Sequence, residues 1–389
     1  MFENILGKKI AAQGAVISIE PLSDDIHFCA LNSEQSALVV DSVRYKTGAF
    51  DEKFYERLDK TIKQELEKSV GSEFQKAAVI LPDQLFLLDM ISVPMIHRKA
   101  MQNSLSLAVE SIYKNAEELS LMTYSVQQTK QLATFGLAGA RRDLLERVRQ
   151  TFADNGIAVT GITYASNAMV NGAFAANPKL KGDTFLLVDI KENYARLAFV
   201  VRGCTMGYYD LPFGYSMLKK TRVASEDMLF DHRAGALLVL NAKERARAKQ
   251  LTMEGVVEEE PSDGEGTVYK SGRDGTLHKT ARKLPKFMQR PIPETPEAYV
   301  YENFRFFVKW ALDLIANNRQ IVSLAKLDTV YVNMPAEYGF LFAEVNKSRS
   351  EHGVTFAPLL TERTEASIGE NLELYGGFFL GQYNEANTF

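Results

Sequence analysis

Along residues 15–81 the spacing of apolar positions changes twice. Ala15–Ile19, Ile26–Leu31 and Ser36–Val40 are short apolar runs with polar or turn-forming residues between them, which predicts an antiparallel meander of three strands. A four-residue spacing follows: Phe54, Leu58, Ile62 and Leu66 share one helical face in DEKFYERLDKTIKQELEKSV, and Gly71 stands where that helix should stop. Ala77–Leu81 then reads as a buried strand closed by Pro82. The same order recurs later in the chain. Phe185–Ile190, Arg196–Val201 and Thr205–Leu211 form a second meander ended by Pro212 and Gly214. A helix over residues 301–316, with Phe304, Phe307, Val308, Ala311, Leu312 and Ile315 on one broad face, precedes a strand at Asp328–Val332. Two copies of strand, strand, strand, helix, strand point to an internal duplication, hence an α/β fold of two lobes.

Between the copies lies a different pattern. Phe86–Val93 reads as a strand ending at Pro94, and His97–Leu119 as a helix with Met101, Leu105, Ala108, Val109 and Ile112 on its apolar face. Leu121–Gln127 and Thr134–Ala140 read as strands, Arg141–Asn155 as a helix capped by Gly156, and Ile157–Ile162 as a further strand. The expected division is therefore 1–83 for the first half, 84–164 for an inserted α+β subdomain, 165–183 for a helix returning to the first half, and 184–224 for the second meander. Residues 225–298 form a second insertion and 299–389 complete the second half. In that second insertion Ser225–Met253 reads as helical. Glu254–Glu265 holds six carboxylates and Lys270–Arg290 seven basic residues, and five of the twelve prolines fall between Gly255 and Pro296. Such a stretch buries too little apolar surface to offset its ordering entropy, so Gly255–Pro296 reads as a charged loop, mobile or ordered by a partner.

Composition narrows the function classes. The formal charge is −4 over 389 residues, which offers no electrostatic footprint for nucleic acid. Cys29 and Cys204 make no C-x-x-C pair, and His27, His97, His232, His278 and His352 show no ligand spacing, so no metal site is expected. No apolar run approaches the eighteen residues of a membrane span, and Met1–Glu20 lacks a secretory pattern. The expected location is cytoplasmic, with no direct membrane insertion. No serine sits in G-x-S-x-G, so hydrolase chemistry has no local support. Glu20 and Asp189, at matched positions in the two halves, would face one another across the interlobe cleft and could hold a divalent ion or remain as turn carboxylates.

The stretch LLVDIKENYARLAFVVRGCTMGYYDLPFGYSML resembles the second phosphate-binding hairpin of PilM, the actin-like protein of type IV pilus assembly that is related to FtsA. ILPDQLFLLDMISVP and AGARRDLLERVRQTFADNGIAVTGITYAS look like that family's extra subdomain, and ENLELYGGFFLGQ like its C-terminal ending. The resemblance implies a duplicated actin-like (ribonuclease H-like) fold with an inserted α+β subdomain. It also implies nucleotide motifs, which this chain has lost. The family's first phosphate loop, D-I-G-S-S-S-x-K, falls on Glu20-Pro21-Leu22-Ser23-Asp24-Asp25-Ile26-His27, so glycine has become Leu22 and lysine His27. The second keeps Asp189 but has Lys191 for glycine, and the adenosine-binding S-G-G-G falls on Asn333-Met334-Pro335-Ala336. Side chains at Leu22 and Lys191 stand where phosphates need bare backbone, and Pro335 removes a donor.

From the resemblance we expect a non-catalytic pseudo-ATPase with no cofactor. It would serve as a cytoplasmic scaffold of a type IV pilus or related secretion machine, binding the cytoplasmic tail of a PilN-type inner-membrane protein, with assembly motor ATPases as further partners. The expected tail-binding residues are Leu85, Phe86, Leu88 and Met90 on the first strand of the inserted subdomain, and Arg141 and Arg142 at its strong helix. The alternatives are an active ATPase or sugar kinase using ATP and magnesium, with Glu20, Asp189 and Lys191 in altered roles, and an FtsA-like polymerising protein.

Overall fold

The computed structural model describes residues 14–20, 25–31, 38–45, 51–68, 75–113, 115–211, 213–218, 266–271, 277–282, 300–301, 303–305, 307–308, 311–312, 327–347, 353–360 and 366–380. The first half opens with strands β1 (Ala15–Glu20), β2 (Asp25–Leu31) and β3 (Leu38–Arg44), helix α1 (Glu52–Lys68) and strand β4 (Lys76–Leu81). Then come β5 (Phe86–Pro94), α2 (Arg98–Ile112), β6 (Leu119–Gln128), β7 (Leu132–Arg141), α3 (Arg142–Asp154), β8 (Ala158–Tyr164) and α4 (Ala165–Ala176). The second half runs β9 (Thr184–Ile190), β10 (Ala195–Val201), β11 (Cys204–Leu211) and the short helix α5 (Tyr215–Leu218). The hairpin β12 (Gly266–Ser271) and β13 (Leu277–Arg282) follows, then helical residues within 303–312, β14 (Thr329–Asn333), α6 (Phe340–Lys347), β15 (Thr355–Pro358), α7 (Ala366–Glu370) and α8 (Leu372–Gly377).

The duplication is borne out by the sheets. One has the order β3-β2-β1-β4-β8 and the other β11-β10-β9-β14-β15, so each is an antiparallel meander extended by two strands. Those added strands run parallel to the meander's first strand, β4 and β8 in one lobe, β14 and β15 in the other. Parallel additions need crossover helices, and covered faces explain why β1, β4, β9 and β10 are nearly continuous apolar runs.

Three expectations need correction. The inserted subdomain is smaller than 84–164, because β8 pairs in parallel with β4 from Lys76↔Ala158 to Leu81↔Tyr164 and so belongs to the first lobe's sheet. Helix α3 goes with it: Leu144, Leu145, Val148 and Phe152 share a core with Phe54, Leu58 and Ile62 of α1. What remains as the insertion is the sheet β5-β7-β6 with α2 on one face, its core made by Ile91, Val93, Leu105, Val109, Ala133 and Leu137. The helix expected to reach Leu119 stops at Ile112, and β6 begins at Leu119, where the spacing of Leu121, Thr123 and Ser125 against Met122, Tyr124 and Val126 has already become two. Finally, the span Gly255–Pro296 contains the β12–β13 hairpin, paired from Gly266↔Arg282 to Ser271↔Leu277. Thr267, Val268, Tyr269 and Thr280 favour pleated backbone, so the charge count alone misjudged this segment. This hairpin lies in a separate compact unit, 219–302. The helices expected in Ser225–Met253 lie outside the described residues.

Each half lends its last helix to the other's sheet. Met169, Val170, Ala173 and Phe174 of α4 pack on Phe185, Leu187, Ala198 and Val200 of the second lobe. Leu374 and Tyr375 of α8, with Phe378 and Phe379 just beyond it, pack on Val16, Ala78 and Ile80 of the first. The two helices cross at glycines: a Cβ on Gly376 would lie 1.7 Å from the Ala168 carbonyl oxygen, and one on Gly172 2.2 Å from that of Leu372. No described helix is long and apolar enough to cross a membrane.

Candidate functional site at the lobe junction

The carboxyl ends of β1 and β9 meet at the junction, and the side chain between them is Arg196. It is the single charged residue of β10, ARLAFVV, a strand buried along its whole length, and is itself 1% exposed. A guanidinium in that position must find partners on several sides. Its Nε donates to Asp210 Oδ1 at 3.0 Å and lies 3.2 Å from Asp83 Oδ2. Its Nη1 donates to Glu373 Oε2 at 2.8 Å and its Nη2 to Glu20 Oε2 at 3.0 Å. The four acids come from the end of β1, the turn after β4, the end of β11 and helix α8.

Around this centre the polar groups are locally fixed. Asp83 accepts from the Ser166 backbone N and Oγ, both at 2.8 Å, so its carboxylate caps the start of α4 as well as facing Arg196. Gln84 Nε2 donates to Asp210 Oδ2 at 3.2 Å, the Tyr208 hydroxyl donates to the Asp83 carbonyl at 3.0 Å, and the Tyr194 hydroxyl to Glu20 Oε2 at 3.3 Å. Beside it, Asp189 Oδ1 accepts from Asn333 Nδ2 at 2.7 Å, while Lys191 Nζ sits 3.1 Å from Asp189 Oδ2 and donates to the Glu370 carbonyl at 2.5 Å. The β9–β10 turn is occupied too: Lys191 and Glu192 carbonyls accept from the backbone N–H groups of Tyr215 and Ser216 at the start of α5.

Five carboxylates thus share two cations. Burial is the largest influence on Asp83, Asp210 and Glu373 and pushes all three upward from the usual carboxylate range, with Arg196 pulling the other way. Burial likewise works against the charge on Arg196, but Asp210, Glu20, Asp83 and Glu373 outweigh it and hold the guanidinium firmly protonated. Lys191 follows the same logic, with Asp189 and then Glu373 overcoming desolvation. Among the described residues, no group of three or more His, Cys, Asp or Glu side chains is arranged to hold a metal ion.

The residues singled out by sequence fall in unequal places. Glu20, Asp189 and Lys191 come together at this junction. His27 lies on β2, bonded through Nδ1 to Ser42 Oγ at 2.7 Å; burial holds it toward the neutral form against Glu20 and Asp25, with Lys191 adding to the effect. Met334 and Pro335 follow β14, where Pro335 precedes a short 3-10 turn, and Leu22 lies outside the described residues. Of the tail-binding set, Phe86 is a core residue, 5.2 Å from the Tyr164 ring and buried with Ala140, so it presents no free surface. Leu85 and Leu88 are half-buried against the same core and Met90 is half-buried on β5. Both arginines are exposed where the insertion passes into the first lobe: Arg141 is the last residue of β7 and pairs with Asp143, while Arg142 opens α3, a first-lobe helix, and its Nε donates to the Leu119 carbonyl at 3.0 Å. Sequence reading passed over Arg196, Asp83, Asp210 and Glu373. The available signal was Arg196 itself, a lone charge in a strand apolar on both faces.

No protein-family model and no curated protein matches the chain. Among solved structures, the PilM–PilN type IV pilus biogenesis complex is similar over 93% of this chain and 97% of that one, with a TM-score of 0.51 at 13% identity. The chain has the duplicated actin-like fold. More distant matches include MreB5 of Spiroplasma citri bound to AMPPNP, with a TM-score of 0.35 at 11% identity over 93% of this chain and 94% of that one. Another is the cytoplasmic domain of EpsL from the Vibrio cholerae type II secretion system, with 0.35 at 13% over 53% and 72%. At the junction Glu20 is paired with Arg196 and Asp189 with Lys191, so the acids a magnesium-bound phosphate would compete for already have cations of the chain's own.

Proposed function

We propose that this chain is a non-catalytic scaffold of a type IV pilus or related secretion machine, an actin-like shell that works by holding partners. The observation that carries the reading is the self-occupied junction: Arg196 and Lys191 stand among Glu20, Asp83, Asp189, Asp210 and Glu373 as cations that no ligand has to bring. Similarity to a chain of the PilM–PilN pilus complex supports a partner of the PilN kind, read here as an extended cytoplasmic tail of an inner-membrane protein. Motor ATPases would be further contacts. The protein would then lie in the cytoplasm and reach the inner membrane through that partner. Leu88 and Met90 on β5, with Leu85 in the turn that precedes it, are the half-buried positions we assign to an added peptide, whereas Phe86 is spent on the core.

The test is a thermal-shift titration with ATP and magnesium beside a binding assay with the synthetic PilN-type tail. A ligand at a hundred times its Kd stabilises by about 2.7 kcal/mol, so bound nucleotide would be easily seen. We expect no shift with ATP and a measurable tail affinity weakened by Met90→Asp. A saturable rise in Tm with magnesium-ATP would refute the scaffold reading in favour of a working ATPase or kinase.

A further inference from the structure

The four acids that receive Arg196 do not belong to one lobe. Glu20 and Asp83 are first-lobe residues, Asp210 and Arg196 belong to the second, and Glu373 lies on α8, the second half's helix packed on the first lobe's sheet. All five side chains are at most 6% exposed, and the guanidinium reaches each acid at 2.8–3.2 Å. Further polar contacts join the same parties: Gln84 to Asp210, Tyr208 to Asp83, and Tyr194 to Glu20. Opening the cleft would pull Arg196 away from Glu20 and Asp83 and strand buried charges on both sides, which is the costly way to break a buried pair.

We propose that Arg196 is a resident counter-ion that clamps the two lobes in one closed arrangement, so that their orientation is set by the chain itself and does not answer to a nucleotide. The clamp deepens the scaffold reading and rests on it, since the insertion that presents Leu88 and Met90 also touches β11 of the second lobe through Tyr124, so its setting depends on how the lobes sit. The planar guanidinium with its five N–H donors suits this task, and an ammonium, with three donors on a point charge, does not.

The experiment uses the full-length chain with one spin label on each lobe, at Lys60→Cys on α1 and Ala343→Cys on α6, both exposed, after Cys29 and Cys204 are replaced by alanine. Distance distributions and Tm are measured for Arg196, Arg196→Lys, Arg196→Met and Arg196→Ala. We expect a single narrow distribution for the parent, unchanged by magnesium-ATP. Arg196→Met and Arg196→Ala should broaden it and lower Tm by roughly 10 °C. Low millimolar guanidinium should narrow it again in Arg196→Ala alone. Arg196→Lys should fall between; if the larger changes abolish folding, this variant carries the comparison, and a distribution and Tm equal to the parent's would overturn the clamp. So would an Arg196→Met protein as narrow and stable as the parent, because filled volume would then suffice without charge. A parent distribution that is broad without nucleotide also overturns it. The two ideas fail separately: a Tm rise with magnesium-ATP removes the scaffold reading, whereas an ATP-insensitive parent with an unaffected Arg196→Met removes only the clamp.

Discussion

The two lobes share a strand order and use it differently. In the first, the strands around the junction contribute acids only, Glu20 from β1 and Asp83 after β4; in the second, β10 and the β9–β10 turn contribute both cations, Arg196 and Lys191, beside Asp189 and Asp210. Their insertions differ as well. The first lobe carries β5–β7 between β4 and α3, a compact α/β body sewn back onto β11, whereas the second carries the separate unit 219–302 between α5 and the helical residues of 303–312. A duplicated fold thus need not stay symmetric in chemistry. Once a single arginine enters one copy, acids from both copies can be drawn to it, and the cleft between copies becomes an interior.

The comparison is broken most severely where the exchanged helices cross. Gly376→Ala would set a methyl group 1.7 Å from the Ala168 carbonyl oxygen, and Gly172→Ala one 2.2 Å from that of Leu372. Both obstacles are backbone, which cannot swing aside, so the helices must separate and take the two lobe cores with them. Overpacking costs 1–3 kcal/mol in ordinary cores and occasionally more; here we expect about 3 kcal/mol or more for Gly376→Ala and somewhat less for Gly172→Ala, read by chemical denaturation. Equal and negligible costs would show that α4 and α8 do not couple the halves.

How far the sequence reaches is clear from these same elements. The meanders, the main helices and the duplication were legible because alternation and four-residue spacing are local properties of the chain. Which sheet a strand joins is not local: Ala158–Tyr164 reads as a strand in any context, and only its parallel register with Lys76–Leu81 places it in the first lobe. The junction was half legible. Glu20, Asp189 and Lys191 stand at motif positions, but Asp83, Asp210 and Glu373 have no spacing relation to one another and are gathered only by Arg196. An apolar strand residue can face a partner or a core, and Phe86 faces a core, packed beside Tyr164 of β8.

A gentler probe of the same asymmetry is pH. Burial raises the folded-state pKa of Asp83 and Glu373 to about 7, against roughly 4 in an unfolded chain, and raises Asp210 in the same direction. Between those limits the folded protein holds more protons than the unfolded one, so their stabilising contribution is full below pH 4 and is lost as pH rises through 7. His27 opposes this at the acid end: its folded pKa is lowered by burial, so its contribution is present above pH 6.5 and lost as pH falls below it. The net expectation is a lower Tm at pH 8 than at pH 6.5, with Asp83 and Glu373 each contributing under about 1 kcal/mol across that interval, because the larger part of their loss falls between pH 4 and 6.5. Glu373→Gln and Asp83→Asn should flatten that slope. A parent protein that gains stability from pH 6.5 to 8, with Glu373→Gln following the same curve, would show that the surplus acids are not protonated in the fold.

The smallest expected effect concerns the seam between the insertion and the second lobe. Tyr124 of β6 donates its hydroxyl to the Thr205 carbonyl of β11 at 2.9 Å, and Arg202 Nη1 reaches back to the Val126 carbonyl at 3.4 Å. Tyr124→Phe removes the hydroxyl, together with its contact to Met206 Sδ at 3.6 Å, and leaves the ring, which packs over Gly136, so volume is nearly conserved. A net cost of about 1 kcal/mol is the ordinary value for such a bond, and by denaturation this would be a modest shift. Hydrogen exchange sharpens the reading. If the insertion is held to the second lobe at this seam, amides of β6 and β11 should exchange faster together in Tyr124→Phe while those of β1 and β4 keep their protection. Faster exchange spread evenly over both sheets would instead mean that the bond supports global stability and that the insertion moves with the first lobe alone.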